Sequence, residues 1–240
     1  MSDTQKAEKE ADHYPYRRPV DAATLILVDR AHDIPKVLVG KRHDKVVFMP
    51  GKFVFPGGRV DKADNRVPVA APIPKALENN LLKGSPKITA SRARSLAVAA
   101  IREACEETGL CLGRKSNGAA PHLEGAWKPF TDAGLLPDPS GLFLIARAIT
   151  PPGRVRRFDA RFFVAEATLI AHRAEGAVHP DAELVELTWI PIEKALELDI
   201  PRITRLILGD LAELGSTPSD RFRPRPFYRQ LRAQQIRDEL

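Results

Sequence analysis

The sequence predicts an α/β domain, and three observations carry that reading. Apolar runs of strand length, rich in β-branched and aliphatic residues, recur at 23–28 (ATLILV), 37–42 (VLVGKR), 141–149 (GLFLIARAI), 161–167 (RFFVAEA) and 184–190 (LVELTWI). Between the second and third of these the pattern switches to helical spacing: Ala97, Ile101, Ala104 and Thr108 recur at three- and four-residue intervals within 95–109. A chain of 240 residues with 43% hydrophobic content can bury one sizeable core.

In chain order, residues 1–19 form an N-terminal tail that ends in Tyr14-Pro15-Tyr16-Arg17-Arg18-Pro19, and the domain occupies 20–215. The runs 23–28 and 37–42, joined by a short polar loop at 30–35, predict an antiparallel strand pair. Phe55-Pro56-Gly57-Gly58 reads as a tight turn after a short strand run. Residues 65–90 are interrupted by Pro68, Pro72, Pro74 and Pro86, with room for one short helix at 77–82. The helix of 95–109 ends at Gly109, which can take the left-handed conformation that closes a helix. Trp127, Phe130 and Leu135 predict a core-packed helix over 122–136, closed by Gly134 and Pro137. Pro151-Pro152-Gly153 turns the chain into a basic stretch at 154–159, and helices at 192–198 and 203–214 finish the domain.

The net charge of +6 raises the question of nucleic acid, but much of the excess sits in Arg221, Arg223, Arg225, Arg229, Arg232 and Arg237. Residues 216–240 are therefore expected to be a basic C-terminal extension, solvated or docked on a partner, with no specific nucleic-acid binding. No apolar run reaches the ~20 residues of a membrane span, and the charged N-terminus lacks the apolar stretch of a signal peptide. The final Arg-Asp-Glu-Leu matches an ER-retention signal by coincidence on that reading. Cys105 and Cys111 give no disulfide framework, so Cys105 reads as a small helix residue and a reducing cytoplasm is the default. The six histidines lack zinc spacing.

The chemistry concentrates in Arg102-Glu103-Ala104-Cys105-Glu106-Glu107-Thr108-Gly109-Leu110. At about 100° per residue, Glu103, Glu106 and Glu107 cluster on the helix face away from the apolar stripe. Three glutamates on one patch repel one another unless a cation sits among them. As hard oxygen ligands they suit Mg2+ or Mn2+ far better than zinc. Arg102 lies four residues before Glu106, where it can hold a carboxylate in place. Gly57 and Gly58 permit close backbone approach and leave a carbonyl to face a metal.

Together these residues resemble the Nudix box, G-x5-E-x7-R-E-U-x-E-E-x-G-U. Its second half matches at Arg102, Glu103, Ala104, Glu106, Glu107, Gly109 and Leu110, with Ala104 small for its slot. Its first half matches at Gly58, and Asp64 occupies the glutamate slot. Residues 65–101 number 37 where the pattern allows seven, so the box is split by an insertion, 65–90. A split at this point resembles the branch that includes peroxisomal coenzyme A diphosphatases, and RRFD ahead of an FFVA strand is similar to it too. Arg42 and the GxxxFPGG of 51–58 stand in register with a coenzyme A signature, whose second arginine falls here on Val47.

The resemblance, which runs from about Ala22 to Leu198, implies an α/β/α sandwich around a mixed β-sheet. It implies a hydrolase of a nucleoside diphosphate linked to another moiety, with coenzyme A or acyl-coenzyme A first among substrates and NADH, ADP-ribose or a nucleotide sugar as alternatives. Glu103, Glu106, Glu107 and the carbonyl of Gly57 or Gly58 are the expected metal ligands; Glu103 serves as ligand or base, and Arg102 orients the set. A loop carboxylate ahead of Trp189 joins the site, with Glu183 the first candidate and Asp181 and Glu186 behind it. Asp64 reads as a structural carboxylate. Arg42 is either a substrate-phosphate contact or a surface cation at a strand end, and Arg156 and Arg157 either meet an anionic substrate or are solvated. The insertion either covers the site as a lid or packs elsewhere. A small-molecule nucleoside diphosphate derivative is the expected partner, and a homodimer is allowed. A reading of another class, a Nudix fold that senses a nucleotide or recruits a partner, would be expected to have lost one of Glu103, Glu106 or Glu107.

Overall fold

The computed structural model describes residues 17–83, 85, 88–116, 118, 122–214, 224–231 and 234–240. Its central strand, β1 (Val20–Asp29), buries Ala22, Ala23 and every residue of 25–28. A strand covered on both faces reads as a continuous apolar run, which is why 23–28 shows no polar alternation. Strand β2 (Lys36–Arg42) lies antiparallel to β1, as expected, with Val28 opposite Val37. On the other side of β1, β8 (Phe158–Glu166) runs parallel to it from Val20/Phe158 to Val28/Glu166.

With β7 (Phe143–Ile149), β10 (Leu184–Pro191), β11 (Pro226–Leu231) and β12 (Gln234–Glu239), the strand order is β10-β2-β1-β8-β7-β11-β12. Two short strands complete this mixed sheet: β3 (Phe53–Val54) on β2 and β4 (Gly57–Arg59) on β1. The Phe-Pro-Gly-Gly segment, expected as a turn, thus enters a strand, because Gly57 and Gly58 pair with Thr24 and Ala23. A small second sheet joins β5 (Leu110–Lys115) to β6 (Leu135–Pro137) and β9 (Ile170–Arg173).

Helices cover both faces of the large sheet. Leu25 and Leu27 of β1 pack with Leu96, Ala97, Ala100, Ile101 and Ala104 of α2 (Ala90–Thr108). Ile26 and Val28 point the other way, into a core with Ile207, Leu208 and Leu211 of α5 (Arg202–Glu213) and Ala195 of α4 (Ile192–Ala195). This is the α/β/α sandwich that the resemblance implies.

Helix α2 starts at Ala90, five residues before the expected position, because Thr89 caps it by accepting the Arg92 N–H (3.2 Å). It stops as expected at Gly109, at φ 73°. The helix expected over 122–136 shrinks to a 3-10 turn at Gly125–Trp127 and α3 (Lys128–Asp132). Trp127 and Phe130 do reach the core, but Leu135–Pro137 pairs with β5 instead of continuing the helix.

The insertion is not placed as a lid. Val67 and, from α1 (Lys75–Lys83), Leu77 and Leu81 bury in the core that α2 shares with the sheet. The Ala70 N–H donates to Pro137 O (2.9 Å), and Arg94 of α2 donates to the carbonyls of Asn65 (3.1 Å) and Val67. Pro86 lies outside the described residues.

Two further expectations are corrected. The C-terminal segment is not a solvated extension: β11 pairs parallel with β7 and antiparallel with β12, extending the sheet. Arg229 pairs with Asp238 (2.7 Å), and Arg237 reaches Asp210 of α5 (3.3 Å), beside the Tyr228 hydroxyl that donates to the same carboxylate (2.6 Å). The Arg-Asp-Glu of the terminal tetrapeptide is itself part of β12. Arg221, Arg223 and Arg232 lie outside the described residues, as does the tail through residue 16. The second correction concerns the cysteines. Cys105 on α2 and Cys111 on β5 are joined in a disulfide with Cα atoms 4.6 Å apart, tying the helix end to the strand across the Gly109 cap. Cysteine usage therefore gives no support to a reducing compartment. Among the described residues no helix is long and apolar enough to cross a membrane.

Candidate active site

Helix α2 places three carboxylates at one end of the sheet, and their environments differ. Glu107 is buried at 8% exposure, and its Oε2 accepts the Gly57 N–H of β4 (2.9 Å). Burial pushes its carboxyl well above the ordinary range and the nearby charge of Glu183 adds to this, while the Gly57 N–H opposes them. Glu103 is raised to about 7, first by burial and then by Glu106, against the opposing pull of the Arg102 guanidinium 2.9 Å away. Glu106 is half-exposed and pairs with Arg102 (3.1 Å). The glycines beside them are required by space. A Cβ on Gly58 would stand 2.6 Å from the Glu103 carboxylate, and one on Gly57 would stand 2.6 Å from the Thr24 Cα.

Arg102 explains how a box split by so many residues still closes. Its Nε and Nη2 grip Asp64 in a forked pair (2.9 and 3.2 Å), and Nη2 also donates to the Arg59 carbonyl (2.8 Å). Asp64, wholly buried in a 3-10 turn at Ala63–Asn65, accepts the Asp61 N–H as well (2.7 Å). Burial alone would lower the guanidinium, but the Asp64 hydrogen bond and the Glu103 charge hold it above its ordinary value. One cation thus joins β4, the turn after it and α2, and Asp64 takes the structural place expected of it.

The fourth carboxylate comes from the far end of the sequence. Glu183, just before β10, lines a cavity of about 210 Å³ together with Glu103, Glu106, Glu107, Ala177 and Leu184. Of the two carboxylates ranked behind it, Asp181 lines a neighbouring cavity of about 340 Å³ with His43, Lys45, Val46, Ala182 and Glu183. Glu186 lies exposed within β10, where it accepts the Thr188 hydroxyl (3.2 Å).

The expected substrate cations scatter. Arg42 is buried at 8% exposure: Nη2 pairs with Glu183 (2.8 Å) and Nε donates to the Phe48 carbonyl (2.8 Å). It is not the exposed strand-end cation of one expectation. Arg157 is buried against the carbonyls of Thr150 (3.0 Å) and Arg17 (2.6 Å), while Arg156 is exposed. Neither lines the carboxylate cavity. The Arg42–Glu183 pair and the Arg59 carbonyl are the features sequence reasoning missed. The first joins residues far apart in the chain, and the second carries no side-chain signal.

The donor set around the cavity is all oxygen, which fits Mg2+ or Mn2+. Among the described residues, however, no three His, Cys, Asp or Glu side chains already converge in the manner of a closed metal cage. Glu103 is turned to Arg102 and Glu107 to the Gly57 N–H.

The sequence matches no protein-family model and no curated protein sequence. Solved structures do match. The crystal structure of a NUDIX hydrolase from Alicyclobacillus acidocaldarius is 29% identical over 80% of this chain and 90% of its own, with a TM-score of 0.57. MutT protein from Methanosarcina mazei is 14% identical over 85% of this chain and all of its own, at 0.47. The NUDIX domain of Shewanella oneidensis NrtR, solved with ADP ribose, is 11% identical over 89% and 98%, at 0.45. The mixed sheet between helices is the Nudix fold, and the first similarity supports the same class for the chemistry. That likeness supports an enzyme of the Nudix pyrophosphohydrolase type.

The raised Glu103 carboxyl has a measurable consequence. Its folded value of about 7 exceeds the ordinary 4.5, so the folded state holds a proton that the unfolded state releases. Without divalent ions, the stabilisation from this group is complete below about 4.5 and is lost as pH rises to about 7. Melting temperatures across that window, in chelator, should fall with a steeper slope for the parent than for Glu103→Gln. Equal slopes would show that Glu103 ionises normally.

Proposed function

We propose that this enzyme hydrolyses a nucleoside diphosphate linked to another moiety in a divalent-metal-dependent reaction, with coenzyme A or an acyl derivative as its substrate. The observation that carries the reading is that Glu103, Glu106, Glu107 and Glu183, from two distant segments, line one cavity. A diphosphate is crowded with negative charge and repels an attacking hydroxide. A divalent ion, Mg2+ or Mn2+, held by Glu103, Glu106, Glu107 and the carbonyl of Gly57 or Gly58, would neutralise that charge and polarise the phosphorus. Water in the cavity gives its proton to a carboxylate, Glu183 or Glu103, and attacks the phosphorus in line; the P–O bond to the bridging oxygen breaks. Arg102 keeps Glu103 and Glu106 in place. Arg156, exposed two residues ahead of β8, is the proposed contact for an anionic part of the substrate.

The coenzyme A assignment rests on the split box and on Arg42 with the GxxxFPGG segment, and Val47 departs from it. The cytoplasm is the proposed location. Product identification tests the substrate. Incubation with coenzyme A should release 3′,5′-ADP and 4′-phosphopantetheine. Turnover of NADH, ADP-ribose or a nucleotide sugar instead would keep the reaction and discard the substrate.

A further inference from the structure

We infer that Arg42 is a positioning residue that holds Glu183 against the carboxylate cluster, and that it does not grip the substrate. The inference rests on the proposed role of Glu183 as proton acceptor.

The geometry assigns Nε and Nη2 of the guanidinium to protein. Nη2 meets Glu183 Oε1 at 2.8 Å and Nε meets the Phe48 carbonyl at 2.8 Å, with the arginine side chain only 10% exposed. Glu183 by contrast is half-exposed and ends the loop that leads into β10. Left alone, a carboxylate there would turn to solvent, away from Glu103 and Glu107, whose charges repel it. The fold supplies the clamp. Strands β2 and β10 pair antiparallel with Leu184 opposite Arg42, so the residue before Leu184 lies beside the arginine. The His43 N–H donates to the Glu183 carbonyl (2.9 Å), fixing its backbone. The Arg42 N–H donates to Lys52 O (2.9 Å), anchoring the loop of 43–52 that carries Phe48. That loop is braced in turn by the edge-on contact of Phe48 with Phe158 (5.5 Å between centroids). The forked, always-charged guanidinium suits this task, because it can satisfy a carboxylate and a carbonyl together in one plane.

A cation that binds substrate and one that positions a base differ in kinetics. Loss of the first raises KM; loss of the second lowers kcat with KM kept. The full-length parent, Glu183→Gln, Arg42→Ala and the double variant should be assayed on coenzyme A, ADP-ribose and NADH with Mg2+. Glu183→Gln is expected to lower kcat by about tenfold or more, Arg42→Ala by a similar factor with KM within about twofold, and the double variant no further than the worse single. A raised KM with kcat kept, or losses that multiply in the double variant, would overturn the inference. Arg42→Lys, which cannot serve both partners at once, should show the same split more mildly if Arg42→Ala folds poorly.

Melting temperatures give a second readout that needs no turnover. The pair meets in the free protein, so the shifts of the two single variants should not add in the double one, and additive shifts would contradict the pairing. If none of the substrates is turned over, the proposed function fails while the melting cycle still decides the pairing. If turnover is normal in Glu183→Gln, the proton-acceptor role fails and the inference with it.

Discussion

Glu107→Gln is expected to lower turnover by about two to three orders of magnitude, the size of effect seen when one electrostatic contact to the transition state is removed. The substitution keeps the shape of the side chain, and the amide oxygen can still accept the Gly57 N–H. What it removes is a negative charge that burial and Glu183 already disfavour. The folded protein should therefore melt no lower than the parent, and in the absence of divalent ions slightly higher. Steady-state kinetics beside a melting curve checks both halves. Normal turnover would remove Glu107 from the site, whereas lost turnover with a collapsed melting curve would mean only that the fold had failed.

Arg102→Ala has the largest expected effect on stability. Asp64 is wholly inaccessible to solvent, and its carboxylate is held by both Nε and Nη2 of Arg102. Removing one partner of a buried pair leaves an uncompensated charge and costs about 3–5 kcal/mol. The same arginine also closes the Arg59 carbonyl and pairs with Glu103 and Glu106, so the two halves of the box separate when it goes. Urea unfolding should show the loss. Adding Asp64→Asn to Arg102→Ala should recover part of it, because the stranded charge is then gone. No recovery would place the cost in the Arg59 and glutamate contacts instead.

The site was legible in the sequence where its signal was local. Helical spacing put Glu103, Glu106 and Glu107 on one face, and Gly109 ended the helix where expected. The apolar runs gave the buried strands, since β1 and β8 are covered on both sides and need no alternation. Other features depend on contacts that spacing does not encode. Arginine density made 216–240 look like a solvated or partner-docking extension, yet in its described part Phe227 and Tyr228 anchor it beside β7, Arg147 stacks over the Phe227 ring at 4.4 Å, and Asp238 and Asp210 answer Arg229 and Arg237. The residues of 65–90 left a lid and a packed insertion both open, and Val67, Leu77 and Leu81 supplied the apolar surface that packs it on α2. Cys105 and Cys111 carried no framework signal because only the turn at Gly109 brings a helix end and the following strand face to face. The Arg42–Glu183 pair is of the same kind: it follows from the β2/β10 register, which neither segment states by itself.

The most direct test of the hydrolytic account is product formation from coenzyme A, acyl-coenzyme A, NADH, ADP-ribose and a nucleotide sugar, each with Mg2+, with Mn2+ and with chelator. The account predicts cleavage of the diphosphate bridge in at least one of them, present with a divalent ion and abolished by chelator. Cleavage that persists in chelator, or no cleavage of any substrate by protein that binds the ion, would contradict it.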